Sequence, residues 1–386
     1  MNKIFKKITF IIFIIFSIYL NVNSEEKKIK IGMLIPMTGD DKELGQIIIK
    51  ATRMAISDIN SNRLEIFPKD TGSNPTQTLK SASEFLEMGV KIVIGPIFYK
   101  SLTYLDELED ITFLSLTNRT IDLPQNIISS GVNATSQLNT IKKFIKLNEI
   151  TNTIFLSPKL NYEAEIKKAI KLSKFKVSKH YVYDTDPTKL TKQIEKITNY
   201  QVRKQNVADE INRIENSDID DEIKKRRIEK LKKKYTIGNL NFDSIIISDF
   251  DESLKSVITS LMYTDVSPKN KYIITFNQWF DKSLVNEKSL QPIYYPSINK
   301  KNLEEFKDKF NKKFDEHSNH LALLSYDLIG LIYYLSVTND ISQINDLFKK
   351  KNSFKGKIGI FDIQNNKVNH RLSFYQIDDG KIKKIF

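Results

Sequence analysis

Between Lys28 and Thr120 a short, nearly continuous apolar run recurs four times, over residues 29–37, 64–68, 91–95 and 111–116. Runs with so little polar alternation are what strands covered on both faces require. The intervals carry helical spacing instead. Residues 45–60 place Ile48, Ala51, Ala55 and Ile59 on one face, with Lys50, Arg53, Ser57 and Asp58 largely away from it. Asn74-Pro75 starts a second helix that Gly89 stops, and a third is expected before Ile111. Strand and helix in strict alternation imply right-handed crossovers and a parallel sheet. Ligands in such sheets sit outside the carboxyl ends of the strands. Those ends are Met37-Thr38-Gly39, residues 96–101 and residues 115–120, so three loops converge on one edge.

The pattern then starts afresh. Helices over 136–147 and up to Ser173, with strands over 153–157, 176–183, 242–248 and 272–276, make a second parallel set. Two α/β halves suit a chain of 386 residues, which is long for a single core. Residues 188–235 are longer than a crossover needs and read as a charged helical hairpin inserted in the second half. Leu190, Ile194, Ile197, Val207, Ile211 and Ile214 form a narrow seam, and the second arm is nearly all basic from Lys224 to Lys234. Residues 302–314 are amphipathic, whereas 321–337 are apolar nearly all round and should be buried. Strands over 357–363 and 371–377, turning at Asn365-Asn366, and a turn at Asp379-Gly380 close the chain.

Residues 1–24 read as a signal peptide, with Lys3, Lys6 and Lys7 before an apolar core over 8–20, and with Val22 and Ser24 placed for cleavage after Ser24. An uncleaved anchor is the alternative; either way the chain is exported, to a periplasm. The chain has no cysteine, which excludes disulfides, a thiol nucleophile, thiolate metal ligation and a lipid anchor through cysteine. The formal charge of +13 is spread through every region and reads as a solvated surface rather than a polyanion groove. No nucleic-acid partner is expected, and membrane contact is expected only through the signal segment. Phosphate-loop, dinucleotide and zinc-protease signatures are absent, and residues 39–45 lack the Lys and Ser/Thr of a phosphate loop. His317 and His320 suggest a surface or capping role rather than a metal site. Neither Ser101 nor Ser115 lies in a nucleophile elbow. A non-enzymatic protein without cofactor or metal is expected.

KIKIGMLIPMTG (28–39), the helix with Ala51 and Ala55, KDTGSNPTQTLKSASEFLEMGVKIVIGP (69–96), LSYDLIGLIYYL (324–335) and FKGKIGIFDI (354–363) resemble type I periplasmic binding proteins of the leucine/isoleucine/valine kind. LGQ, DTG, GPIF, LSLTNRT and NLNFDSIII are most similar to the penicillin-binding protein activator branch, which is related to a lipoprotein that stimulates peptidoglycan synthases. The resemblance implies an α/β, two-lobed fold, each lobe a parallel sheet flanked by helices. It puts residues 28–133 and 300–340 in the N-terminal lobe and 134–299 and 350–386 in the C-terminal lobe.

The resemblance also locates a ligand cleft between the lobes. Tyr99 stands where the family has a small hydroxyl residue, with Ser101 close by, and Thr117-Asn118-Arg119-Thr120 replaces the loop that cups an α-amino group. Tyr162 matches the second-lobe tyrosine, but Glu163 follows it where a glycine is usual. The implied function is regulation of envelope or peptidoglycan synthesis through a protein partner such as a peptidoglycan synthase. The alternative is a transporter's solute-binding protein, partnered by a permease, for an amino acid, peptide or other small polar ligand. The residues expected to line the cleft are Thr38, Tyr99, Ser101, Thr117, Asn118 and Arg119 from the first lobe, with Tyr162, Asn277 and Gln278 from the second. Tyr99 and Tyr162 would stack on or cap a ligand, and Arg119 would favour a carboxylate or phosphate.

Overall fold

In the computed structural model, which describes residues 28–160, 162–339 and 344–386, the first apolar run forms β1 (Ile29–Ile35). The signal peptide expected over 1–24 lies outside the described residues. The alternation continues as α1 (Lys42–Ile59), β2 (Leu64–Asp70), α2 (Pro75–Glu87), β3 (Ile92–Ile94), β4 (Thr112–Ser115) and β5 (Ile127–Ser129). These strands pair in parallel in the order β2-β1-β3-β4-β5. Instead of the helix expected before β4 there are two 3-10 turns, Tyr99–Leu102 and Leu105–Glu107. Tyr104 between them has φ +74°, a left-handed conformation that interrupts a right-handed helix.

The second lobe runs α3 (Ala134–Leu147), β6 (Thr153–Pro158), α4 (Glu163–Ser173), β7 (Lys179–Tyr183), α5 (Pro187–Ile197), α6 (Tyr200–Glu215), α7 (Asp221–Lys232), β8 (Ser244–Ile247), α8 (Asp251–Tyr263), β9 (Tyr272–Thr275), α9 (Lys282–Asn286) and β10 (Ile293–Ser297). Its parallel strands lie in the order β7-β6-β8-β9-β10, the order of the first lobe repeated. Each sheet therefore reverses direction at the same place, between its first and third strands, and a crevice forms there. Helix α5 is the crossover helix itself, since Leu190 and Ile194 are buried in the second core. Only α6 and α7 form the projecting hairpin.

The chain returns to the first lobe with α10 (Lys300–Phe314), α11 (His320–Thr338) and α12 (Ile344–Leu347). Helix α11 is apolar nearly all round because it is enclosed: Leu323, Leu328, Ile329 and Ile332 share a core with Ile48 and Ala51 of α1. A small antiparallel sheet follows, β11 (Asn352–Lys355), β12 (Ile360–Gln364) and β13 (Lys367–Arg371), and then β14 (Ser373–Asp378) and β15 (Lys381–Lys384) extend the second sheet beside β10. Asn365 and Asn366 take φ of +52° and +56°, the paired left-handed turn that a tight hairpin requires. The apolar side chains of the small sheet, among them Phe361, Ile363 and Val368, belong to the first lobe's core. The chain rejoins the second sheet at Ser373, later than the expected boundary at 350.

Three segments cross between the lobes, residues 130–133, 298–299 and 372. They are cross-bonded. Asn133 Nδ2 donates to Val368 O at 2.8 Å, the His370 N–H donates to Ser136 Oγ at 2.9 Å, and Tyr375 Oη donates to Ile298 O at 3.0 Å. The loop before β12 is held by Asp327 of α11, whose carboxylate accepts the N–H groups of Lys357 at 2.9 Å and Ile358 at 2.7 Å. Gly356 is required beside it, because a Cβ there would lie 2.3 Å from Asp327 Oδ2. This contact explains why YDLIG and FKGKIG occur together.

Candidate functional site

The loop after β1 is pinned from β2. Asp70 accepts the N–H of Met37 at 2.7 Å and of Gly72 at 2.9 Å, and Thr38 Oγ1 donates to it at 2.6 Å. Burial works against its charge, but the bonds from Thr38, Met37 and Gly72 outweigh that and hold the carboxyl below its usual range. Gly45 lets α1 close beneath the loop, since a Cβ there would sit 1.7 Å from Pro36 O. The hydroxyl of Thr38 is thus occupied within the loop.

Of the other first-lobe residues, Arg119 and Tyr99 are brought together, with the guanidinium 3.8 Å from the ring centroid. Arg119 has no ion-pair partner among the described residues, and Asn118 beside it is exposed. Thr117 is buried, and its hydroxyl accepts the N–H of Arg119 at 3.2 Å. Ser101 is buried with its hydroxyl unpaired among the described residues.

In the second lobe, Tyr162 Oη donates to Ser248 O at 2.9 Å. Burial first, and then the negative charge of Asp249, push this phenol up from its ordinary range. Tyr183 donates to Asp249 and is raised by the same two causes, so both phenols act as neutral donors. Gln278 is turned inward, its Nε2 donating to Thr275 Oγ1 at 3.0 Å and to Asp249 O at 3.1 Å. Asn277 is also buried: its Oδ1 accepts from Ser297 Oγ at 2.7 Å and from the Trp279 N–H at 2.9 Å. Its Nδ2 is unpaired among the described residues.

What spans the cleft is a set of residues not among those expected to line it. Glu165, in the first turn of α4, accepts the N–H groups of Thr120 and Ile121 at 3.0 Å each, together with the Thr120 hydroxyl. Lys168, three residues on, donates to Thr120 O at 2.7 Å. A carboxylate of the second lobe is thus seated in a nest of donors on the first. Farther along the cleft, Trp279 of the second lobe stacks on His320 at the start of α11, with centroids 4.0 Å apart and 19° between planes. Trp279 and Phe280 both hold left-handed φ, +48° and +62°, a costly conformation for bulky residues. His320, expected in a surface or capping role, is covered by this stacking, and burial lowers its pKa to about 4. A glutamate in a first helical turn reads in sequence as a partner of the helix dipole. A lone tryptophan after a strand reads as core, so neither signal announced an inter-lobe contact. A cavity of about 710 Å³ lies beside the Glu165 tie, bounded by Leu123, Asn139, Leu172 and Asn369, and none of the nine expected residues lines it.

Two lobes of one strand order, crossed at three segments and facing each other with the carboxyl ends of their strands, define the type I periplasmic-binding-protein fold. Residues 28–203 match the family described as periplasmic binding protein. Among solved structures, the C-domain of LpoA from Haemophilus influenzae, a regulator of PBP1A, aligns with 15% identity and a TM-score of 0.62, over 92% of this chain and 100% of that one. A Rhodospirillum rubrum protein named for branched-chain amino acid ABC transport aligns with 12% identity and a TM-score of 0.70, over 93% and 100%. LivJ of Streptococcus pneumoniae, a branched-chain amino acid substrate-binding protein in complex with isoleucine, aligns with 17% identity and a TM-score of 0.52, over 92% and 98%. No curated protein matches the sequence. The fold of this chain is that of type I periplasmic binding proteins of the leucine/isoleucine/valine kind, in agreement with the resemblance.

Proposed function

We infer that this chain is an exported, non-catalytic regulator of the cell envelope that works by protein contact, as the penicillin-binding protein activator branch does. The observation that carries the reading is the Glu165 tie. A receptor that reports a solute must leave its clamp donors free until the solute closes the lobes around it. Here the Thr120 and Ile121 donors are taken by the protein's own carboxylate, so no ligand is needed to join the lobes. The activator-like motifs support the same reading. Affinity capture from envelope extracts is expected to retrieve a peptidoglycan synthase or another envelope partner; recovery of transporter subunits alone would contradict it.

One observation favours a second reading, a solute-binding protein. Arg119 lies against Tyr99 in the loops facing the cleft, with no ion-pair partner among the described residues, as a site for a ligand carboxylate would need. On this reading Thr38, Tyr99, Ser101, Thr117, Asn118, Arg119, Tyr162, Asn277 and Gln278 surround the ligand. A thermal-shift screen separates the two, because a ligand at a hundredfold over its Kd adds about 2.7 kcal/mol. A shift with an amino acid or peptide, abolished by Arg119→Ala, supports the solute reading; no shift across the set supports the regulator.

A further inference from the structure

Helix α7 of the second lobe buries none of its residues, and nothing in the cleft uses it. From Asp221 to Lys234 the chain carries eight Lys or Arg against three acids. The helix has no buried residue; Lys224, Ile228 and Leu231, at helical spacing, are its only half-buried positions and form the seam toward α6. Among the described residues Lys224 pairs with Asp221 at 3.5 Å, whereas Lys225, Arg226, Arg227, Lys230, Lys232, Lys233 and Lys234 have no ion-pair partner. A row of unpaired cations on the outside of a rod about 18 Å long is a concentrated positive field.

The base of this rod is fixed. Arg203 of α6 is 6% exposed; it donates to Thr264 O at 3.1 Å and Thr236 Oγ1 at 2.6 Å, while its own carbonyl accepts the Ile237 N–H at 2.9 Å. Asn206 Nδ2 adds a bond to Ile237 O at 3.0 Å. The two ends of the hairpin are therefore bonded to each other and to the body of the lobe. The cations are presented as a ridge rather than on a loose tail.

We propose that α7 is an electrostatic docking surface for an anionic lipid bilayer, which extends membrane contact beyond the signal segment. A protein interface needs a desolvated apolar or aromatic anchor at its centre, ringed by polar groups. The exposed apolar residues here are peripheral: Ile223 at one end of the helix and Tyr235, 78% exposed, just past the other. A charged bilayer needs no such anchor; several Lys or Arg near its surface suffice, and a tyrosine at their edge suits the headgroup region. Charge complementarity thus favours a flat anionic surface over an acidic protein.

The test is co-sedimentation of the chain from Glu25 onward, which keeps every described element, with vesicles of phosphatidylcholine containing about one third phosphatidylglycerol. Binding is expected to these vesicles and not to pure phosphatidylcholine. It should fall at least roughly tenfold when salt rises from about 0.1 M to 1 M, which shortens the screening length from about 10 Å to 3 Å. K225E/R226E/K230E/K233E should abolish it with circular dichroism unchanged, the neutral set K225Q/R226Q/K230Q/K233Q should fall between, and reversal of Lys301, Lys307, Lys312 and Lys313 on α10 should leave most of it. Absence of binding, equal binding to neutral vesicles, equal loss from the α10 set, or binding to a soluble polyanion but not to vesicles would each overturn the proposal.

Discussion

Asp327 is 3% exposed and its carboxylate serves two backbone N–H groups that, among the described residues, have no other acceptor. Burial, opposed by those bonds, raises its pKa to about 6. Asp327→Ala should cost roughly 2–4 kcal/mol in urea unfolding, the penalty of leaving two buried donors unmet. Gly356→Ala should also destabilise, but less in the Asp327→Ala background, because the carboxylate oxygen 2.3 Å from the new Cβ is then gone. His370 gives the fold a pH dependence. It is 3% exposed, its Nε2 donates to Ser130 O at 2.9 Å, and burial lowers its pKa to about 4 from the ordinary 6.5. A lowered folded pKa means that the stabilisation is complete above pH 6.5 and is lost as pH falls through 4. The loss is about 3 kcal/mol at 1.36 per unit. Unfolding measured across that window should carry this share of the slope, and His370→Gln should remove it while leaving the shares of His320, lowered likewise, and of Asp327, whose raised pKa acts in the opposite sense. At this scale the sequence was partly legible. YDLIG and FKGKIG are each visible as motifs, but their pairing through Asp327 is not, because 30 residues separate Asp327 from Lys357.

The elements were the most legible, since the apolar run and the helical spacing are local signals that the core merely reinforces. Where they failed, a distant partner decided. β5 is three residues long and exists through its pairing with β4. The resemblance puts the small sheet in the second lobe, yet Phe361 and Val368 belong to the first lobe's core. The hairpin was read as one unit from 188, whereas the burial of Leu190 and Ile194 makes α5 part of the sheet layer. Its true base is Arg203, a buried cation whose Nε is unpaired among the described residues. Arg203→Ala should free that base. Trypsin cleavage within 224–234 is expected to rise severalfold while the main unfolding transition moves by no more than a few degrees, because α7 contributes nothing to either core. A collapse of the main transition would show instead that the hairpin is integral to the lobe.

The whole molecule repeats one sheet topology in two lobes whose facing loops are bonded to each other. Of the residues expected to line the cleft, Thr38, Thr117 and Gln278 are engaged by their own loops. The groups that meet across the cleft are Glu165, Lys168, Trp279 and His320, residues from both lobes that no local pattern associates. On the proposed reading these contacts hold the lobes together without a ligand. Small-angle scattering of the ligand-free protein tests it most directly. The profile should match the one calculated from this structure and stay unchanged on adding amino acids, while Glu165→Ala should enlarge the radius of gyration and change the emission of Trp279, the chain's single tryptophan. A ligand-free protein already more open than this structure, and closing when an amino acid is added, would contradict the account.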